Sequence, residues 1–161
     1  MTDITYATIA DIKNYTPLSQ NMTDEVIIPF IKLAEVFHLR PVLGSNLDNE
    51  LLGMISGDTL SGASYTLVTE YIIPASVWYS YYESIISIWL RPSTKGLTKA
   101  FSDNSSAADK KDVEMFRQDA WDKAVMYTNR LVGYLNDNVT TFPLYGNCTV
   151  KRDNSTGIFL G

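Results

Sequence analysis

His38 is the only histidine in the 161-residue chain, and Cys148 is the only cysteine. These are the residues with the most versatile chemistry, and each stands alone. One histidine rules out a multi-histidine metal site, and one cysteine rules out both an internal disulfide and a Cys-rich zinc site. A Ser-His-Asp arrangement can be written around His38, but no serine stands in a nucleophile elbow. A Cys148–His38 pair stays open, although Cys148 lies in a tail with little to preorganise a nucleophile. His38 itself lies on or beside the apolar side of its helix and reads as a hydrogen-bonded structural residue. Glu35, Asp48 and Glu50 contain the carboxylates that glycoside hydrolysis needs, yet their surroundings read as ordinary solvated charge. No phosphate-cradling glycine motif is present. The basic start of the last long helix (Lys110, Lys111, Arg117) is offset by Asp109, Asp112 and Glu114. The expectation is a protein with no catalytic, cofactor-binding or metal-ligating residue.

Charge narrows the partners. A formal net charge of −5 and a pI near 4.7 oppose a protein that grips nucleic acid across a basic face. They suit one past which nucleic acid slides, where an acidic surface avoids sticking. The opening MTDITYATIADI lacks the basic start and apolar run of a signal peptide. Glu70, Pro74 and Glu83 interrupt the most apolar stretch, so no uncharged run reaches the roughly 20 residues that span a bilayer. The reading is a soluble chain, intracellular at synthesis. Asn-x-Ser/Thr tripeptides begin at Asn21, Asn104, Asn138, Asn147 and Asn154. Without a leader they read as composition rather than glycosylation.

The elements that must position these residues centre on Tyr65 to Leu90, YTLVTEYIIPASVWYSYYESIISIWL. At helical spacing Ser76, Ser80, Glu83, Ser84 and Ser87 form one narrow stripe. Nearly everything else is large and apolar or aromatic. A helix apolar around most of its circumference has to be covered on several sides. A chain this short covers only part of that surface itself, so the remainder points to another copy or a partner.

Around that helix the punctuation is legible. Thr8 caps a short turn ending near Tyr15, with Asp11 close to the dipole's positive end. A helix capped by Thr23 follows, with Ile27, Phe30, Ile31, Ala34 and Phe37 or His38 facing inward. It bends or begins at Pro29 and ends at Arg40-Pro41. Ser45 and Asp48 have capping-box spacing for the next helix, whose inward residues are Leu47, Leu51 and Ile55. Ser64 is the candidate cap of the aromatic helix, which Pro74 should kink or split. Residues 93–108 form a long loop or short hairpin. Asp109 to Leu135 is a second long helix, about 40 Å in length, with Val113, Phe116, Ala120, Ala124, Tyr127, Leu131 and Leu135 on its apolar stripe. The expected fold is an all-α bundle of four to five helices with two long helices and a long loop between them. Residues 1–138 make the helical domain and 139–161 an extended C-terminal arm.

The order of these elements resembles a known family. It is carried by Ile4-Thr5-Tyr6-Ala7-Thr8-Ile9-Ala10-Asp11-Ile12-Lys13-Asn14-Tyr15, by Leu39-Arg40-Pro41-Val42-Leu43-Gly44 and by the Tyr-rich helix. Lys95-Gly96-Leu97 and a charged helix leading to Phe142-Pro143-Leu144-Tyr145 complete it. Together these segments, over most of residues 4–145, look like the head–tail adaptor (connector) proteins of tailed bacteriophages, the crAss-like group included. The resemblance implies a virion structural protein, made in the host bacterial cytoplasm and located at the head–tail interface. It would form a homo-oligomeric ring, usually of twelve copies, between the portal protein and the next tail ring. DNA would pass through the channel without sequence-specific binding, and no membrane would be involved. The tail beyond Tyr145 departs from that pattern. Expected interface residues are Trp78, Tyr82 and Trp89 on the aromatic helix and Leu97 and Phe101 in the loop. Phe142, Leu144, Tyr145, Ile158, Phe159 and Leu160 are those of the arm. The alternative is a small helical binding or regulatory module that dimerises through the Trp78 to Trp89 surface.

Overall fold

The computed structural model describes residues 4–93, 96–99 and 109–146, and these form an all-α bundle. Helix α1 (Ile9–Tyr15) begins at a capping box: Thr8 Oγ1 accepts from the Asp11 amide, and the Asp11 carboxylate accepts from the Thr8 amide. Two orphan donors are satisfied by residues three apart. Helix α2 (Asp24–Ala34) contains Pro29 without interruption. It continues through a π turn, π1 (Glu35–Leu39), into α3 (Arg40–Leu43). Gly44 breaks this rod at φ 79°, a conformation that favours glycine, and α4 (Ser45–Ser56) starts immediately. The aromatic segment is a second rod: α5 (Gly62–Thr66), a second π turn, π2 (Leu67–Ile72), and α6 (Ile73–Trp89). Strands β1 (Leu90–Ser93) and β2 (Gly96–Lys99) pair antiparallel, Leu90 opposite Lys99. Helix α7 (Lys110–Asp137) opens on an Asp109–Asp112 capping box, and α8 (Pro143–Gly146) follows a turn.

Pro41 does not end its helix, contrary to what the sequence suggests, and Pro74, expected to kink or split its helix, lies in a continuous helical run. Each instead follows a π turn at the same offset. The Arg40 amide bonds to the Glu35 carbonyl and the Ile73 amide to the Val68 carbonyl, five residues back in both cases. A proline ring collides with the carbonyl four residues earlier. Widening the preceding turn moves that carbonyl aside while the rod continues.

Helix α6 packs against both α2 and α7. Ser76, Ser80 and Ser84 are fully buried, so the serine stripe is the inward seam of this helix. Their hydroxyls are satisfied without a solvent partner: Ser80 donates to the Ser76 carbonyl at 2.7 Å and Ser84 to the Tyr81 carbonyl at 2.8 Å. Small side chains there let neighbouring helices approach closely. One core gathers Leu39, Leu43, Leu47, Leu51, Leu67, Ile72, Tyr79, Leu131 and Leu135. The other gathers Ile12, Ile27, Ile31, Val77, Tyr81, Ile85, Val113 and Ala120.

Several sequence expectations change here. Phe116, assigned inward, is 49% exposed, and of the pair Phe37 or His38 it is Phe37 that is exposed, at 64%. At this turn it is His38 that faces α6 and α7, and Phe37 beside it points outward. On α7 the inward position goes to Thr128 along with Val113, Ala120, Ala124, Leu131 and Leu135. The segment expected to be an arm from residue 139 begins as a turn and one helical turn, with Phe142 buried in the first core and Leu144 and Tyr145 packed on it. Apolar surface of the first core takes these side chains. The remainder of that arm, with Ile158, Phe159 and Leu160, lies outside the described residues, as do Phe101 and Cys148.

Candidate functional site

The π1 turn carries two distinct polar arrangements, one buried and one half-open. Glu35 is 4% exposed. Its Oε1 accepts from the Tyr6 amide at 2.8 Å, the Ala7 amide at 3.1 Å and the Ser76 hydroxyl at 2.7 Å. Oε2 is buried with no protein hydrogen-bond partner. Burial raises the Glu35 carboxyl to about 6, opposed by the donors on Oε1 and by nearby Lys32. Asp48, on α4, is likewise buried and accepts the Tyr6 hydroxyl proton on Oδ1 at 2.8 Å. Arg40 Nε approaches its Oδ2 at 3.7 Å. The Tyr6 phenol is driven far upward, first by burial and then by Asp48, and remains neutral. Residues 4–8 are thereby clamped at both backbone and side chain, and Lys32 Nζ donates to the Ile4 carbonyl at 3.0 Å. The sequence reading placed Glu35 and Asp48 among solvated charges. Both are interior acceptors, because the N-terminal segment brings its donors to them.

Three residues beyond Glu35, His38 faces α6 and α7. Its Nε2 is 2.8 Å from Glu83 Oε1, and its ring stacks on Tyr79 with centroids 4.3 Å apart and planes 12° apart. Trp121 meets the His38, Tyr79 and Tyr82 rings at 5.6, 5.6 and 5.1 Å. The Arg117 guanidinium lies 4.2 Å above Tyr82. Offset and edge-on aromatic contacts of this kind add about 0.5–1.5 kcal/mol each beyond burial. A hydrogen bond of 3.1 Å joins the Tyr79 hydroxyl to Thr128 Oγ1. The cluster is a rigid joint between π1, α6 and α7. His38 is oriented, but every ring around it is packed by another ring of the same chain. Among the described residues, no three His, Cys, Asp or Glu side chains converge as a metal site.

Of the expected interface residues of α6, Tyr82 belongs to this joint. Trp78, Tyr82 and Trp89 are half-buried; Lys123 Nζ lies 4.8 Å above Trp78, and Arg117 covers Tyr82. Leu97 lies in β2 opposite Pro92. Sequence reasoning missed the outer face of α2–π1. Ile28, Leu33, Val36 and Phe37 are exposed there, at 52%, 37%, 42% and 64%, with Pro29 among them and only Glu25 and Lys32 to interrupt. A helix polar outside and apolar inside is the rule for a surface helix. This one is apolar on both sides.

Fold and surface together define an all-α bundle with an internally clamped N-terminus and an uncovered apolar helix face. A family model described as a family of unknown function (DUF6712) matches residues 39–155, and the chain belongs to that family. No curated protein and no solved structure matches it. No helix of the described residues is long and apolar enough to cross a membrane.

Proposed function

We propose that the chain is a virion structural subunit: a ring-forming adaptor between the capsid portal and the tail of a tailed bacteriophage. DNA passes through its opening without sequence-specific contacts. The role is mechanical rather than catalytic. The observation that carries this reading is the exposed apolar face of α2–π1, since contiguous apolar surface of this kind marks an interaction site. A closed ring gives every copy two neighbours through the same pair of faces.

The motif that suggested the resemblance has a structural rationale consistent with this role. In Leu39-Arg40-Pro41-Val42-Leu43-Gly44, the two leucines are fully buried and Arg40 reaches toward Asp48. Pro41 follows the π turn and Gly44 turns the chain into α4. The segment fixes the end of the rod whose outer face is apolar. A net charge of −5 also suits a channel component that does not hold DNA.

Native mass measurement of the purified full chain, alone and with a portal ring, tests the proposal. A closed ring of about twelve copies is expected on the reading of a single-layer connector. A compact dimer indicates the alternative, a small binding module. A monomer in both conditions overturns the ring.

A further inference from the structure

The amides of Tyr6 and Ala7 reach the bundle through one side-chain oxygen, Glu35 Oε1, which also accepts the Ser76 hydroxyl. A carboxylate oxygen has two lone pairs, so three donors leave no place there for a proton. A proton on this carboxyl therefore sits on Oε2, which is buried without a protein partner. The charged neighbours are committed elsewhere. Lys32 of α2 favours the ionised form, but its Nζ is bonded to the Ile4 carbonyl. Arg40 of α3 and Asp48 of α4 approach each other beside the Tyr6 hydroxyl. Glu83 of α6 is paired with His38 of π1. Ionised, Glu35 carries a negative charge whose second oxygen has no protein donor, and burial opposes that charge. Lifting residues 4–8 away brings water to the carboxyl.

We infer that residues 4–8 form a proton-controlled latch: protonation of Glu35 holds the segment shut, and ionisation loosens it without unfolding the bundle. The latch belongs to the single subunit and goes beyond the ring reading, on which it does not depend. Opening withdraws the Tyr6 ring from the first core and frees the Asp48 carboxylate. The three donors on Oε1 alone would give the opposite response, because they favour the ionised form. Burial of the carboxyl outweighs them.

Hydrogen exchange of the Tyr6 and Ala7 amides tests it in the full chain between pH 5 and pH 7.5, with rates corrected for the intrinsic effect of pH. With the carboxyl at about 6 when buried and 4.5 when solvated, opening should become about tenfold more frequent across that range. The two amides should also exchange faster than that of Leu131 in the core of α7, and should ignore low concentrations of urea, as local openings do. Protection equal to that of Leu131, and lost with urea in step with it, would mean that the segment leaves only on global unfolding, and it overturns the latch. Protection that stays constant or rises with pH overturns it as well. Glu35→Gln should abolish the pH dependence at both amides. Ser76→Ala removes a donor that favours ionisation, so the pH at which protection falls should move upward. A profile unmoved in either variant overturns the assignment of Glu35 as the controlling group.

Discussion

Ser76 donates its hydroxyl proton to Glu35 Oε1 across 2.7 Å, tying the middle of the aromatic helix to the first π turn inside the protein. The same oxygen holds the N-terminal segment through the Tyr6 and Ala7 amides. One carboxylate oxygen therefore connects three parts of the chain that are remote in sequence, while the other oxygen has no protein partner.

Stability should rise on mild acidification because of this group. Its pKa is about 6 in the folded chain against 4.5 ordinarily. Between those values the folded state binds more protons than the unfolded state. The stabilisation is complete below 4.5 and is lost as pH rises through 6. The difference corresponds to about 2 kcal/mol. Urea midpoints at pH 4.5 and pH 7.5 should differ in that sense for the native sequence. In Glu35→Gln this component of the pH profile should disappear; an unchanged profile in the variant would refute the assignment.

Tyr6→Phe removes the donor on Asp48 Oδ1 and leaves a buried carboxylate facing only Arg40. Losing one partner of a buried charged acceptor costs about 1–3 kcal/mol. Chemical denaturation measures it. Hydrogen exchange should show the amides of residues 6 and 7 losing protection at the same time, since the phenol and the backbone are clamped as one unit.

Trp121→Ala should cost about 3 kcal/mol, the lower end for a buried aromatic truncation, because it strips His38, Tyr79 and Tyr82 of a common neighbour. Trp121→Phe should recover much of that. Thermal unfolding of the two variants, compared at equal concentration, decides whether the cluster is a structural joint.

Phe37→Asp should leave unfolding free energy within about 0.5 kcal/mol of the native value, as surface substitutions do. It should nonetheless abolish assembly. Denaturation and native mass on the same sample separate the two effects; intact assembly would remove this face from the interface.

How far the sequence could be read depended on which signals were local. The Thr8 cap with Asp11 in its first turn and the start of α7 at Asp109 are encoded within a few residues, and both are visible without coordinates. The burial of Glu35 and Asp48 is not, because their donors come from residues 6, 7 and 76. A carboxylate on an amphipathic helix reads as solvated until its distant partners are known. The exposed face of α2 was hidden for a related reason. The helical wheel leaves Phe37 or His38 as the inward residue, and only the distant partners of His38 (Glu83, Tyr79 and Trp121) decide between them. The residues of the serine stripe were identifiable by spacing, but whether small polar side chains face water or a close neighbour is decided by packing.

That widened turn corrects a drift in phase. Ile27, Ile31, Glu35, Leu39 and Leu43 are all buried and follow one another at intervals of four. In an uninterrupted α-helix each interval of four advances about 40° around the axis. Four intervals would carry Leu43 about 160° from Ile27, nearly to the opposite side. The extra residue of the π turn takes up most of a 100° step and brings the series back onto one side of the rod. A strict repeat of four across a proline is thus a vernier. Once the burial of Glu35 is known, it shows that the rod is wound more loosely at Glu35–Leu39 than in the α-helical turns on either side.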